Sequence, residues 1–176
     1  MRKVPNEELD RLSVQDFKKS KKIPVIVVLD NVRSQNNIGS VFRTADAFRL
    51  ESIFLCGITS KPPHREIHKT ALGATESVHW EYRAETSEAI EELRARGYQI
   101  IAVEQTENSV SLEQLRLTMD QKYALIFGHE IRGVDQRVVD ICDQCVEIPQ
   151  YGTKHSLNIS VAAGIVIWDV FKQMSL

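Results

Sequence analysis

The sequence lacks most features of a secreted, membrane-embedded or strongly basic protein. It has only 3 cysteines, and its net charge is −2. An odd number of cysteines and a polar N-terminus argue against a secreted disulfide framework, and no apolar run reaches the about 18 residues of a membrane span. We therefore expect a cytoplasmic protein without a membrane segment. Any basic surface must be local, because the whole chain is not a polycation.

The cysteine pattern also gives little support to a metal or redox site. Cys142 and Cys145 form a C-x-x-C pair, but no second pair completes a zinc site. The pair does not open a helix after a strand, as a redox motif would. We predict ordinary, at least half-buried thiols and no metal.

What is present fits one soluble α/β domain. The chain has 176 residues, of which 43% are hydrophobic and 26% charged, which suffices for one core. Apolar, β-branched runs predict buried strands, and helical spacing lies between them. The predicted strands are 24–29, 52–56, 99–104, 123–127 and 145–148, and the predicted helices between them are 37–50 and 86–96. This alternation predicts a parallel sheet with helices on both faces.

The two ends of the chain differ in character. Residues 1–22 form a polar extension with a predicted helix over 7–17 and a basic run at Lys18, Lys19, Lys21 and Lys22. This extension is either a solvated appendage or an arm that contacts RNA phosphates. Residues 23–176 form the predicted domain, and its last helix, 156–173, is apolar on nearly all sides. Such a helix needs burial on two sides, so we predict a homodimer through it.

Polar residues concentrate in three segments. The first, 31–43, follows the first strand and contains Asn37, Arg33 and Arg43. Asn36 or Asn37 can cap the next helix, but capping does not account for the two arginines. Arginine favours bidentate contact with phosphate or carboxylate, so the arginines suggest a ligand of that kind. We place Asn37 and Arg43 in the first two turns of one helix.

The second and third segments follow later strands. Residues 128–134 form a charged turn between Gly128 and Gly133, which is either an ordinary tight turn or a close approach to a ligand. Residues 148–158 precede the last helix, where Ser156 is a candidate cap and Asn158 a polar residue in an apolar first turn. Because ligands bind at the carboxyl ends of parallel strands, three such loops predict one convergent site.

These segments resemble the three motifs of the SpoU/TrmH-type RNA 2′-O-ribose methyltransferases, in the SPOUT class. The motifs read N-I-G-S-V-F-R-T-A over 37–45, G-H-E-I-R-G over 128–133 and I-P-Q-Y-G-T-K-H-S-L-N-I-S-V-A over 148–162. Their order and spacing match, and the resemblance covers about residues 23–173. It implies a deep trefoil knot near the C-terminus, formed by the loops at 128–133 and 148–158, and a dimer through the last helix.

The resemblance also implies S-adenosylmethionine as cofactor and a structured RNA as substrate. The residues carried over as cofactor contacts are Val103, Gly128, Ile148 and Leu157. Those carried over as catalytic are Arg43, Asn37, Glu130, Ser156 and Asn158. Candidate phosphate contacts, for which plain surface exposure is the alternative, are Arg33, Lys61, Arg65, Lys69, Arg132 and Lys154.

We expect Arg43 to bind the phosphate beside the target ribose and to orient the 2′-oxygen. Arginine stays protonated, so it is a poor base, and the proton has three open routes: a phosphate oxygen, water or a transiently neutral guanidine. Asn37 and Glu130 are expected to hold Arg43 or the ribose. Ser156 and Asn158 are expected to shape the methyl-donor pocket. Arg43 and the cofactor can come from different subunits.

Four alternatives to this function stay open. They are a ribosomal rather than a transfer RNA target, a non-catalytic RNA-binding relative, a base methyltransferase of the same class and a small-molecule methyltransferase. The intact motif residues favour catalysis, and the basic N-terminal run favours RNA. The short N-terminal extension and the segment 146–150 with S-L-N favour transfer RNA, with guanosine in the D-loop as one candidate position.

Overall fold

A computed structural model describes residues 1–174, apart from the side chain of residue 6. Residues 175 and 176, with which the predicted domain ends, lie outside the described residues. The strands are β1 (Ile23–Asp30), β2 (Leu50–Cys56), β3 (Trp80–Arg83), β4 (Tyr98–Val103), β5 (Val110–Ser111), β6 (Lys122–Phe127) and β7 (Gln144–Glu147). The helices are α1 (Val14–Lys19), α2 (Gln35–Ala47), α3 (Arg65–Ala71), α4 (Ala74–Ser77), α5 (Thr86–Ala95), α6 (Gln136–Val139) and α7 (Ile159–Met174).

The strands form a single sheet in the order β3-β2-β1-β6-β4-β7-β5, and every pairing is parallel. The predicted parallel sheet is confirmed. β3 and β5 lie at its two edges and were not expected from the sequence, because both are short. The trefoil knot implied by the resemblance stays a prediction.

Alternation along the central strands divides the core between the two faces of the sheet. In β1, Val25, Val27 and Leu29 pack in one cluster, whereas Ile26 and Val28 pack in the other. The first cluster takes the buried faces of α2, α3 and α7, and the second takes α5 and α6. Both faces are covered, as buried parallel strands require.

The N-terminal extension differs from the predicted helix over 7–17. A 3-10 turn covers Asn6–Glu8, and α1 begins only after Ser13, whose hydroxyl accepts a hydrogen bond from the Asp16 amide. Asp10 has a positive φ of 44°, which ends any helix across this stretch. Phe17 is only 4% exposed and belongs to the main core, so the end of the extension is anchored to the domain.

The helix caps also differ from those expected. α2 begins at Gln35, and its cap is Ser34, whose hydroxyl accepts from the Asn37 amide. Neither Asn36 nor Asn37 caps it. α7 begins at Ile159, not at 156, and Asn158 Oδ1 accepts from the Ser160 amide. Asn158 is therefore the cap of α7, and Ser156 lies in the preceding loop.

A buried carboxylate fixes the carboxyl end of β1. Asp30 is 2% exposed and accepts hydrogen bonds from the Thr86 hydroxyl at 2.5 Å and the Asp135 amide at 3.1 Å. The Thr86 hydroxyl is occupied by this contact, and Glu85 holds the N-cap position of α5. Within residues 1–174 no helix is long and apolar enough to cross a membrane.

Candidate active site

The first two motif segments meet at the carboxyl edge of the sheet, on the carboxylate of Glu130. Glu130 Oε1 accepts hydrogen bonds from the Ser34 amide at 2.9 Å and from Asn37 Nδ2 at 3.2 Å. Its Oε2 accepts from the Arg33 amide at 3.1 Å. Glu130 thereby joins the loop after β6 to the start of α2, because β1 and β6 are neighbours with parallel ends.

The third segment joins through a pair of asparagines. Asn158 Nδ2 donates to Asn37 Oδ1 at 3.2 Å, while Asn158 Oδ1 accepts from the Ser160 amide and hydroxyl. Asn37 therefore donates to Glu130 and accepts from Asn158. This chain of hydrogen bonds runs from Glu130 through Asn37 to the start of α7, and it fixes the relative positions of all three segments.

The hydrogen bonds also keep Glu130 ionised. Partial burial alone would raise the pKa of Glu130, but donation from the Ser34 and Arg33 amides and from Asn37 outweighs it and lowers the pKa below its usual value. The carboxylate is therefore charged at neutral pH, and its oxygens are already occupied by donors of its own protein.

The Gly128–Gly133 segment is a small, rigid hairpin. His129 and Gly133 exchange both backbone hydrogen bonds, at 2.9 and 2.8 Å. Gly133 has a φ of +66°, and a Cβ on it would lie 2.0 Å from Glu104 Oε2, so only glycine fits. Glu104 Oε2 accepts from the Val134 amide at 2.9 Å, which ties this hairpin to the end of β4.

A cavity of about 300 Å³ lies between this hairpin, the end of β4 and the loop before α7. We call it the hairpin cavity. Its lining contains all the residues predicted as cofactor contacts: Val103, Gly128, Ile148 and Leu157. Glu130 and Ser156 line it as well. Ser156 is exposed, and within residues 1–174 its side chain makes no hydrogen bond.

Arg43 lies apart from this network. Because α2 starts at Gln35, Arg43 falls in its third turn rather than its second. Six residues of helix place Arg43 about 9 Å further along the axis than Asn37 and about 120° around it. Arg43 is exposed, and among residues 1–174 it forms no hydrogen bond or ion pair. Within one protomer, Asn37 and Glu130 therefore do not hold Arg43.

The model of the family described as "SpoU rRNA Methylase family" matches residues 24–168, which is most of the chain. The chain belongs to the SpoU rRNA methylase family. The loops just described are thus the motif segments of a SpoU family member, and the sequence resemblance is confirmed.

Relatives in this SpoU family carry RNA methyltransferase names. A tRNA (guanosine(18)-2′-O)-methyltransferase of Aquifex aeolicus is 30% identical over 155 residues, which cover 85% of this chain and 69% of the relative. A TrmH family tRNA/rRNA methyltransferase of Staphylococcus haemolyticus is 28% identical over 160 residues, 91% of this chain. The chain spans only 63% of the length of that relative.

Solved structures of SpoU proteins show the same fold. An AdoMet-bound rRNA methyltransferase of Sinorhizobium meliloti superposes with a TM-score of 0.81 at 27% identity, covering 90% of this chain and 60% of the other. A TrmH/SpoU tRNA modifying enzyme of A. aeolicus superposes with a TM-score of 0.80 at 25% identity, covering 92% and 82%.

The candidate phosphate contacts of this SpoU protein are all exposed but do not form one cluster. Arg132 lines the hairpin cavity, and Arg33 lines a neighbouring cleft. Lys61 Nζ lies 4.1 Å from the centre of the Tyr82 ring, and Arg65 pairs loosely with Glu66 at 3.9 Å. Lys69 lies in α3 and Lys154 in the loop before α7.

Sequence reasoning missed two residues of this SpoU site. Glu104 fixes the hairpin, and Gln105 Nε2 donates to the His155 carbonyl at 3.0 Å, which holds the loop before α7. Both directly follow β4, so a polar pair after a buried strand was the available signal.

The pair Cys142 and Cys145 is half-buried, and burial raises the pKa of Cys142 to about 12.

Proposed function

We propose that the chain, as a cytoplasmic homodimer, transfers a methyl group from S-adenosylmethionine to a ribose 2′-hydroxyl of RNA, with transfer RNA as the favoured substrate. The observation that carries the proposal is the hydrogen-bonded chain Glu130–Asn37–Asn158, which reaches the hairpin cavity at Glu130. It joins the three motif segments beside a cavity that contains all the expected cofactor contacts.

The hairpin cavity suits S-adenosylmethionine chemically. Carboxylates of Glu104, Glu130 and Glu147 line it, while Phe127 and Val146 supply apolar wall. Negative charge favours a ligand with sulfonium and ammonium groups, and apolar wall favours an adenine ring. When bound, S-adenosylmethionine supplies a methyl carbon activated by sulfonium. Val103, Gly128, Ile148 and Leu157 would hold it.

The residues of the chain supply alignment. An in-line displacement needs the ribose oxygen opposite the leaving sulfur, and correct alignment alone contributes up to about 7–11 kcal/mol. Arg43 binds the phosphate next to the target ribose, because its guanidinium is exposed and has no partner in the described protomer. Ser156 shapes the cavity on the donor side, whereas Asn158 does not line it and acts through its bond to Asn37.

Glu130 acts as a positioning residue and not as the base. Its two oxygens already accept from the Arg33 amide, the Ser34 amide and Asn37. Accepting a proton would disrupt these bonds and leave backbone donors unpaired. The 2′-hydroxyl proton therefore leaves through a phosphate oxygen, water or a neutral guanidine, as the sequence left open.

One face of α7 supports the proposed homodimer. Val161, Ile165 and Trp168 are 49%, 39% and 49% exposed, at helical spacing, on a helix whose opposite face is buried in the core. A second copy of the same face covers this apolar surface by two-fold symmetry. Arg43 of one protomer then serves the hairpin cavity of the other. Light scattering at micromolar concentration that finds only monomer would contradict this.

Transfer RNA is favoured over ribosomal RNA by the name of one relative. The Aquifex relative is named for 2′-O-methylation of a transfer-RNA guanosine. The basic run at Lys18, Lys19, Lys21 and Lys22 suits contact with the phosphates of either RNA. The experiment below identifies the nucleoside that is methylated.

The test combines purified protein, methyl-labelled S-adenosylmethionine and unmodified total RNA divided into transfer and ribosomal pools. We expect label on 2′-O-methyl nucleosides of the transfer-RNA pool after nuclease digestion. Label only in the ribosomal pool would keep the chemistry and change the substrate. Label on a base would contradict ribose methylation, and neither label nor cofactor binding would favour a non-catalytic RNA-binding relative.

A further inference from the structure

A second cavity, which the proposed function leaves unused, adjoins the hairpin cavity. We call it the rim cleft. It is an open cleft of about 530 Å³ whose lining residues are Arg33, Ser34, Gln35, Ile58, Ser60, His129, Glu130 and Ile131. His129, Glu130 and Ile131 also line the hairpin cavity. The two cavities are therefore separated by one thin wall, formed by the Gly128–Gly133 hairpin.

Two isoleucines line the rim cleft with unusually exposed side chains. Ile58 is 62% exposed and Ile131 is 82% exposed. Single exposed apolar side chains are common, but these two line the same cleft and together give it an apolar surface that a ligand can cover. Each comes from a different loop at the carboxyl edge of the sheet, Ile58 after β2 and Ile131 after β6.

The loop that carries Ile58 is held rigidly. The Ile58 amide donates to Asn31 Oδ1 at 3.1 Å, and a Cβ on Gly57 would lie 2.2 Å from the same oxygen. Thr59 is 2% exposed; its hydroxyl donates to the Leu29 carbonyl and accepts from the Val32 amide. Ile58 is thus presented to solvent by a fixed backbone, which lowers the entropy cost of binding a ligand there.

The Ile131 side is equally fixed. His129 Nδ1 accepts from the Ile131 amide at 3.0 Å, inside the hairpin closed by His129 and Gly133. This bond occupies Nδ1 of His129 and holds the ring against the backbone of the hairpin.

Polar groups complete the rim cleft. Gln35 Nε2 donates to Ser60 Oγ at 3.2 Å, which joins the loop after β2 to the first residue of α2. The Gln35 carbonyl oxygen and the Ser60 hydroxyl hydrogen stay available for a ligand. The cleft thus offers apolar contact from Ile58 and Ile131 and hydrogen bonds from Gln35 and Ser60.

We propose that the rim cleft binds the nucleobase of the nucleotide whose ribose is methylated, an inference that rests on the proposed function. Unstacked bases in RNA are held by contact on their flat faces and read by hydrogen bonds at their edges. Ile58 and Ile131 contact the faces, and Gln35 with Ser60 binds the edge. The ribose then lies at the shared wall, beside Glu130 and Asn37, with its 2′-oxygen toward the hairpin cavity.

The test uses the full chain and compares Ile58→Ser with Met119→Ser. Met119 is also 55% exposed but precedes β6, at the opposite edge of the sheet. We expect Ile58→Ser to lower kcat/KM for the transfer-RNA pool about tenfold, the effect of removing one apolar contact of about 1.4 kcal/mol. S-adenosylmethionine affinity and Tm should stay at wild-type values, because Ile58 lines only the rim cleft.

A second readout does not need methyl transfer. A short single-stranded RNA with 2-aminopurine at one position reports base contact by its fluorescence, and we expect about tenfold weaker binding for Ile58→Ser, restored by Ile58→Val. Gln35→Ala should change the ratio of rates on purine and pyrimidine targets while leaving Tm nearly unchanged.

The outcomes separate the two proposals. If the wild type methylates RNA and Ile58→Ser behaves like Met119→Ser in both readouts, the base site is wrong and the proposed function stands. If the wild type methylates neither RNA pool, the proposed function fails, and this inference fails with it. Loss of S-adenosylmethionine binding in Ile58→Ser would also overturn the assignment.

Discussion

The first and third turns of α2 carry the two motif residues that differ most in their surroundings. Asn37, in the first turn, donates to Glu130 and accepts from Asn158. Arg43, in the third turn, is exposed and has no hydrogen bond within residues 1–174. One protomer therefore holds Asn37 in a hydrogen-bond network and leaves the Arg43 side chain without a polar contact among the described residues. The predictions below test whether that difference reflects two roles or only two surface positions.

The largest expected effect belongs to Arg43. Arg43→Ala should lower kcat about 100–1000-fold, the usual loss when one preorganised transition-state contact is removed. Tm should not change, because the Arg43 side chain is exposed and forms no hydrogen bond within residues 1–174. Arg43→Lys should also be strongly impaired, since lysine cannot bind a phosphate in a bidentate manner.

The control for activity is Arg116→Ala, which removes an exposed arginine before β6, at the opposite edge of the sheet. Unlike Arg43, Arg116 donates to the Glu113 and Leu115 carbonyls, so the Tm of this variant is not compared. We expect its methyl transfer to match the wild type. A near-normal rate for Arg43→Lys would contradict a bidentate role, and a fall in Tm for Arg43→Ala would indicate a structural one.

The second prediction assigns Asn37 and Arg43 to different protomers of one site. Asn37→Ala and Arg43→Ala, co-expressed with different tags, should each be nearly inactive alone but active when mixed. Random pairing of two-site dimers gives about a quarter of wild-type activity, since half of the dimers have one intact site of two. If both residues serve the same protomer, mixing should restore nothing, and that result would contradict the trans arrangement.

The third prediction concerns the occupied carboxylate. Glu130→Gln keeps one acceptor oxygen, which can still accept from the Ser34 amide and Asn37, but its NH2 group then presents hydrogens to the Arg33 amide. We therefore expect a loss of about 1–2 kcal/mol and a Tm about 2–8 °C lower. Denaturant unfolding with urea checks the free energy directly.

The pH dependence of that loss follows from the sign of the pKa shift. The folded pKa of Glu130 is lowered, so its stabilisation is complete above the unfolded value of about 4.3 and disappears as pH falls through the folded value. The difference between wild type and Glu130→Gln should therefore be constant near neutral pH and shrink below about pH 4. A difference that stays the same at acid pH would show that the charge of Glu130 does not matter.

Features that depend on residues close in the sequence could be predicted, whereas contacts between distant segments could not. The parallel sheet and the convergence of three loops could be predicted, because strand periodicity is local and the carboxyl ends of parallel strands lie at one edge. The residues Val103, Gly128, Ile148 and Leu157 of the hairpin cavity were expected only from the resemblance to a family. The cap of α2 could not be predicted reliably, because Ser34 and two asparagines compete for one position. The contacts of Glu104 and Glu130 join segments distant in the chain, so only the folded backbone brings them together.

The smallest effect is expected at Asn158, where two functions share one side chain. Asn158→Ala loses both the cap of α7 and the bond to Asn37, and the cap alone stabilises by about 1 kcal/mol. Asn158→Ser can still accept from the Ser160 amide but is too short to reach Asn37. We therefore expect Asn158→Ala to lower both Tm and the methyl-transfer rate, and Asn158→Ser to lower mainly the rate. Equal rates for Asn158→Ser and wild type would show that the asparagine pair only supports the fold, and positioning would then depend on Glu130 alone.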